Sequence, residues 1–265
     1  MLRCPRTGQA LVRDGETLRT ADGAVSWPLL EGRPVLREGA RAAQVMDPAH
    51  ASHGLPSLAL ELIQAAAGPV LHLSAGGTPQ ALDHVVEVEF AVFRHTDVVA
   101  DAHALPFADD SFEAALAMNA FEHYQDPALV AAELLRVLRP GGRLLVHTAF
   151  LQPLHEAPHH FYNATRHGVA RWFEGFEGVE LSVSENFNPM NALAWIAAEA
   201  QQVLEAGVGA AAAERFSAMT VGELAQLWRG PGRKQNDVWK SFLSAPQDEL
   251  ARIAAGFQVV CRKPG

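Results

Sequence analysis

The sequence predicts an α/β protein built on an open, mostly parallel sheet, and three observations predict it. Short apolar runs, each closed by small or acidic residues, recur between positions 70 and 148. A helix among them carries clear start and stop signals at Asp126-Pro127 and Pro140-Gly141-Gly142. A turn-rich stretch of short alternating segments precedes the whole arrangement.

That first stretch spans residues 3–36. Ala10-Leu11-Val12, Thr17-Leu18-Arg19, Ala24 to Leu30 and Pro34-Val35-Leu36 are separated by Asp14-Gly15, Asp22-Gly23 and Glu31-Gly32, the spacing of successive hairpins. A β-meander of this size buries too little apolar area to stand alone, so it must lean on a neighbour or on a metal. The expected organisation is a β-rich unit at 1–40 and a larger α/β domain at 41–265.

From about Pro56 a helical pattern runs through Leu58, Leu60, Leu62 and Ile63 to Gly68-Pro69. Val70-Leu71-His72-Leu73 then reads as a buried strand ending in Ser74-Ala75-Gly76-Gly77. A small-residue loop after such a strand lets a ligand approach the backbone, although a Gly-Gly pair is also an ordinary turn. The second strand, His84 to Phe90, places Glu89 at its carboxyl end, either as a ribose acceptor or as a solvated acid. Thr96 to Ala100 forms a third strand leading into Asp101-Ala102-His103-Ala104-Leu105-Pro106-Phe107. Ser111 to Met118 is the fourth, followed by Asn119. The punctuated helix presents Val130, Leu134, Val137 and Leu138, and Gly142 to Thr148 is the fifth strand.

Read in this order, residues 70–148 resemble the class I S-adenosylmethionine-dependent methyltransferases, in the branch with an Asp-Ala-x-x-Leu-Pro-Phe turn. The turn and the later Leu-Arg-Val-Leu-Arg-Pro-Gly-Gly run carry most of the resemblance. It implies a Rossmann-like seven-stranded sheet with S-adenosylmethionine as cofactor. Ser74, Ala75, Gly76 and Gly77 would lie along its methionine part, with Glu89 on the ribose diol. Asp101 and Ala102 would meet the adenine edge, and Asn119 would line the path to the substrate. Two departures stand out. The family's acid and three glycines are here His72, Ser74, Gly76 and Thr78. Only Pro79–Asp83 and Ala91–His95 separate the first three strands, too little for the usual crossover helices.

The opening stretch is similar to the zinc-ribbon-like units that accompany some methyltransferases. The closing run Trp27-Pro28-Leu29-Leu30-Glu31-Gly32-Arg33-Pro34-Val35-Leu36 carries the likeness. The knuckle reads Cys4-Pro5-Arg6-Thr7. One thiolate and no nearby histidine cannot make a four-ligand zinc site, so the unit is expected to be metal-free.

Residues 147–167, from the end of the fifth strand onward, hold five of the twelve histidines: His147, His155, His159, His160 and His167. Methyl transfer needs a positioned nucleophile and often a base near neutral pKa, which histidine supplies. The expected base is His155, His159 or His160, with Glu156 as orienting or substrate-binding partner and Tyr162 and Asn163 on the substrate. A metal reading of His155, Glu156, His159 and His160 would require a helix that Pro158 interrupts, and a plain solvated loop is the bland alternative.

Val179 to Ser184 reads as a sixth strand and Gly256 to Lys263 as a last, antiparallel one. A helical insertion lies at about 190–255, with helices at 192–206, 209–217, 221–227 and 248–255. Such an insertion caps a cleft, makes a homodimer contact, or adds core.

Composition narrows the rest. Hydrophobic residues make up 49% and charged residues 19%, and the net charge of −9 disfavours nucleic acid as a partner. Cys4 and Cys261 lie at opposite ends, which fits a reducing compartment. Neither a signal-like N-terminus nor a run of about eighteen apolar residues occurs, so a cytoplasmic chain without membrane contact is expected. The functional expectation is methyl transfer to a hydroxyl, amine or carboxylate of a small molecule. The alternative is an inactive methyltransferase-like binding or regulatory protein.

Overall fold

The computed structural model describes residues 2–39, 44–52, 54–230, 232–258 and 262. The chain divides into two compact units, Met1–Phe150 with Phe161–Leu181, and Leu151–His160 with Ser182–Gly265.

The first unit is organised by one sheet. Strands β1 (Leu11–Asp14), β2 (Thr17–Thr20), β3 (Ser26–Leu30) and β4 (Arg33–Leu36) form an antiparallel meander. Glu31 and Gly32, at φ 51° and 80°, close the last hairpin in the doubly left-handed geometry that matches strand twist. β5 (Val70–Leu73), β6 (Val85–Glu89), β7 (Val98–Ala100), β8 (Phe112–Met118) and β9 (Leu138–His147) follow, and the sheet order is β1-β2-β3-β4-β7-β6-β5-β8-β9. From β4 onward every pairing is parallel. The meander therefore buries its edge by joining the larger sheet: Val35 pairs with Val99 and Leu36 with Ala100.

Both faces of the parallel sheet are covered, as its fully buried central strand β5 requires. Helix α1 (Ser57–Ala65) packs Ala59, Leu62 and Ile63 against Val70, Ala114 and Leu116. Helix α2 (Pro127–Val137) sets Val130, Leu134 and Val137 on the other face with Leu71, Phe107, Phe112 and Phe121. Asp126 caps α2 by accepting from the Leu129 amide, and Pro127 occupies its first position. The short helix α3 (Arg166–Trp172) adds Val169 to this core.

The segments joining β5 to β6 and β6 to β7 contain no helix, as their lengths predict. At the knuckle, the Cys4 sulfur is buried and accepts from the Trp27 indole at 3.5 Å, with the Arg6 guanidinium 5.0 Å over the ring. Leu2 bridges to Phe107 and the Arg3 amide donates to the Pro106 carbonyl, a second attachment of the meander to the parallel sheet.

The seven-stranded expectation needs correcting. Residues 179–184 are irregular, ending in a single 3-10 turn at Glu185–Phe187. The segment Val179-Glu180-Leu181-Ser182-Val183 leaves Val183 74% exposed, so its alternation reflects no buried face. Residues 256–258 and 262 are not strand, and 259–261 and 263–265, including Cys261, lie outside the described residues. The sheet gains on its other side, where β4 extends the parallel run.

The second unit is helical: α4 (Pro189–Gly207), α5 (Ala210–Ser217), α6 (Val221–Arg229), α7 (Asp237–Ser244) and α8 (Gln247–Ala251). Leu204, Ala212 and Ala213 form its core, with Phe216 edge-on to Phe242 at 5.9 Å. The helix expected at 248–255 is the shorter α8, with residues 252–255 not helical, and α7, which Pro246 separates from it, was not among the expected helices. Among the described residues no helix is long and apolar enough to cross a membrane.

Candidate active site at the carboxyl edge of the sheet

The carboxyl ends of the parallel strands gather most of the residues singled out above. Ser74 follows β5 with φ 53°, and its hydroxyl lies 2.8 Å from that of Tyr124. The Gly76 amide donates to Glu89 Oε1 at 2.5 Å and the Phe90 amide to Oε2 at 3.0 Å. Glu89 is buried, and that burial raises its pKa to about 7 against the pull of the two amides. The glycine loop and the acid of the second strand are thus in direct contact.

Each glycine of the loop admits a neighbour, but the neighbour is the chain's own segment 47–52. The Ser52 amide donates to the Gly77 carbonyl at 2.9 Å, and the Gly77 amide donates to Ser52 Oγ at 3.0 Å. A Cβ on Gly76 would collide with Ser52 Oγ, and one on Gly77 with the His50 carbonyl. Ala75 is buried beneath this crossing. His72, at the family's acid position, is buried with its Nε2 unpaired among the described residues. Burial lowers its pKa to about 4, so it is neutral. Thr78, at the third glycine position, donates to Glu87 at 2.7 Å, and burial raises Glu87 to about 7.

Beyond β7 the Asp101 carboxylate accepts from the His103 amide at 2.9 Å and from its Nδ1 at 2.7 Å. The bond from His103 lowers the Asp101 pKa to about 2. Ala102 is buried. Arg136 of α2 donates to the carbonyls of Leu105 and Phe107, pairs with Glu133 and Asp109, and so ties the turn to the helix. Glu133 in turn accepts the Leu105 amide at 2.7 Å. The Leu-Pro-Phe turn and the α2 stretch Glu133–Arg136 are one bonded assembly.

Asn119 follows β8 at φ 50°, exposed, with its amide on the His147 carbonyl. Next to it Glu122 is fully buried. Its Oε2 accepts from Thr148 at 3.0 Å, its Oε1 is unpaired among the described residues, and its carbonyl takes the amides of Phe161 and Tyr162. The Tyr162 hydroxyl donates to the Gln125 carbonyl at 3.1 Å, and Asn163 is exposed.

His155, Glu156, His159 and His160 belong to the second unit. His155 Nδ1 lies 2.9 Å from the Pro153 carbonyl, which puts the proton on Nδ1 and leaves Nε2 as the basic nitrogen. The His155 amide donates to His160 Nδ1 at 3.2 Å, and the two rings are 4.2 Å apart. Glu156 is exposed at φ 51°, and its carbonyl accepts the His159 amide. The stretch is not helical.

Sequence reasoning missed Arg37, Ser52, His103, Glu122 and Tyr124. Arg37 stands just past β4, donates to the Phe90 carbonyl at 3.0 Å, and its charge favours ionised Glu89 and Asp101. The signal lay in the Pro-Val-Leu-Arg end of the meander, which is invisible as part of the site until β4 is known to join the parallel sheet. Tyr124 had a plainer signal, as one of just two tyrosines in the chain.

Residues 71–146 match the family described as methyltransferase domain. An uncharacterized methyltransferase of Mycobacterium avium is 36% identical over 124 residues, 42% of this chain and 49% of that protein. The malonyl-[acyl-carrier protein] O-methyltransferase of Hahella chejuensis is 36% identical over 104 residues, 37% of each chain. Among solved structures, a phosphoethanolamine N-methyltransferase 2 of Haemonchus contortus, in complex with S-adenosyl-L-methionine, covers 70% of this chain and 47% of its own at 14% identity and TM-score 0.38. The chain spans about half or less of the length of the curated relatives it matches. The segment from β5 to β9 thus matches a methyltransferase domain and forms a parallel sheet with helices on both faces.

Proposed function

We propose that the chain binds S-adenosylmethionine at the carboxyl edge of β5, β6 and β7 and transfers its methyl group to a small molecule. The observation carrying this reading is the Gly76–Glu89 contact, with Asp101 held ionised beyond the neighbouring β7, inside a segment that matches a methyltransferase domain. Bound there, the cofactor would supply an electrophilic sulfonium methyl. Glu89 would accept the ribose hydroxyls through its remaining lone pairs, Asp101 and Ala102 would meet adenine, and Ser74 to Gly77 the methionine part. Asn119 would line the transfer path.

In-line displacement asks the protein to position the acceptor and take its proton. We assign the base to the histidine stretch. His155 is preferred because the Pro153 carbonyl fixes its basic nitrogen, with His159 and His160 beside it in sequence and Glu156, Tyr162 and Asn163 as substrate contacts. The acceptor class is a hydroxyl, amine or carboxylate of a small molecule. Self-association through the helical insertion belongs to the same reading, supported by Val221 and Trp228 of α6, each more than 80% exposed.

Calorimetric titration with S-adenosylmethionine and S-adenosylhomocysteine tests the reading. Saturable binding below about 100 μM is expected, and absence of heat and of any melting shift at millimolar ligand would sink it. The inactive-relative alternative draws on one specific observation: the Gly76 and Gly77 amides are already engaged by Glu89 and Ser52. Turnover of any acceptor would remove it.

A further inference from the structure

His103 lies within the Asp101–Phe107 turn, at a position the motif leaves open, and it is bonded on both ring nitrogens. The Asp126 amide donates to its Nε2 at 3.2 Å. A nitrogen that accepts carries no proton, so the ring proton sits on Nδ1, where it donates to Asp101 Oδ1 at 2.7 Å. The His103 backbone amide donates to the same oxygen at 2.9 Å. Two donors on Oδ1 fix the carboxylate's rotation and leave Oδ2 turned away from them. The ring is itself held, edge-on to buried Tyr124 at 5.9 Å. Asp126 is in turn immobile, because it caps α2.

We propose that His103 is a positioning residue for cofactor recognition. It clamps Asp101 so that one carboxylate oxygen is presented to the exocyclic amine of a purine, and it hangs that clamp on the N-cap of α2. The inference rests on the reading of Asp101 as the adenine acceptor. A carboxylate clamped in one rotamer discriminates an amine donor from a keto oxygen at the same purine position. A carboxylate free to rotate relaxes away from the repulsion and loses that discrimination.

The test measures dissociation constants of S-adenosylhomocysteine and of its inosyl analogue, which carries a keto group in place of the amine. The proteins compared are wild type, His103→Ala, His103→Phe and His103→Asn. Phenylalanine keeps the ring contact with Tyr124 and removes both bonds. Asparagine places an amide nitrogen near the Nδ1 position. Loss of one charge-assisted bond should weaken the adenosyl ligand about tenfold in His103→Ala and His103→Phe and reduce preference over the inosyl ligand by a similar factor. His103→Asn should recover most of both. A merely structural role would lower the melting temperature without changing the preference between two purines. Wild type binding with all three substitutions retaining its preference overturns the clamp while the cofactor site stands. Wild type failing to bind either ligand overturns the site and the clamp with it.

Discussion

The turn after β7 and the loop after β5 lie at the same edge of the same sheet, and they treat their polar groups in opposite ways. In the turn, framework groups are satisfied by framework. Arg136 takes the Leu105 and Phe107 carbonyls, Glu133 the Leu105 amide, and the Arg3 amide the Pro106 carbonyl. Asp101, the proposed adenine contact, stays about half exposed. In the loop, the amides themselves are consumed by Glu89 and Ser52, and the space spared by the two glycines is filled by His50 and Ser52. A motif residue that also braces the fold has a second reason to be there. A glycine that only makes room can have that room reassigned.

The largest effect should come from breaking the braced side. Arg136→Met leaves two carbonyls and Glu133 without their donor, at about 3 kcal/mol by the usual cost of stripping such groups. A melting temperature lower by roughly 6–12 °C is expected, and a change below 2 °C, again by the scaling of that principle, would show the assembly to be ornamental. Next comes the buried acid of the loop. Glu89 and Glu87 are raised from 4.5 to about 7, so the folded chain holds their protons more tightly and stability falls as pH rises through that window. His72, lowered from 6.5 to about 4, works in the other direction, losing stability as pH falls. Burial also lowers His147, in the same sense as His72, but the two carboxyls, raised up to about 7, leave a net fall of stability toward pH 7. Denaturant titrations at about pH 5.5 and pH 7.5 should show it. Glu89→Gln should flatten the slope, and an unchanged slope would place the titration elsewhere.

This contrast also explains what could be read without coordinates. Strands β5 to β8 were legible because largely buried parallel strands announce themselves as apolar runs, and α2 because Asp126-Pro127 punctuates its start. The missing crossover helices followed from chain length alone. Residues 179–184 misled because alternation has the same signature in a half-buried strand and in an exposed segment, and only burial separates them. The site was legible as positions but not as bonds. Gly76, Glu89 and Asp101 follow from their places at strand ends. Arg37 and Ser52 reach the edge through long-range contacts of β4 and of residues 47–52, which no local pattern encodes.

The smaller effects sharpen the comparison on the loop side. Gly77→Ala drives a methyl into the His50 carbonyl, and overpacking of this kind costs about 2 kcal/mol. The cheapest relief is to lift residues 47–52 off the loop, so limited proteolysis should cut there faster than in wild type. Ser52→Ala removes one hydroxyl bond to the Gly77 amide and should cost about 1 kcal/mol or less. Its value is in cofactor binding rather than stability. If segment 47–52 competes with the methionine part of the ligand for that amide, weakening it should tighten S-adenosylhomocysteine by up to about fivefold, the equivalent of the bond released. If the segment instead closes over bound ligand, the same substitution weakens binding. The sign of one small change therefore decides whether the glycines have been taken from the cofactor or lent to a lid that serves it.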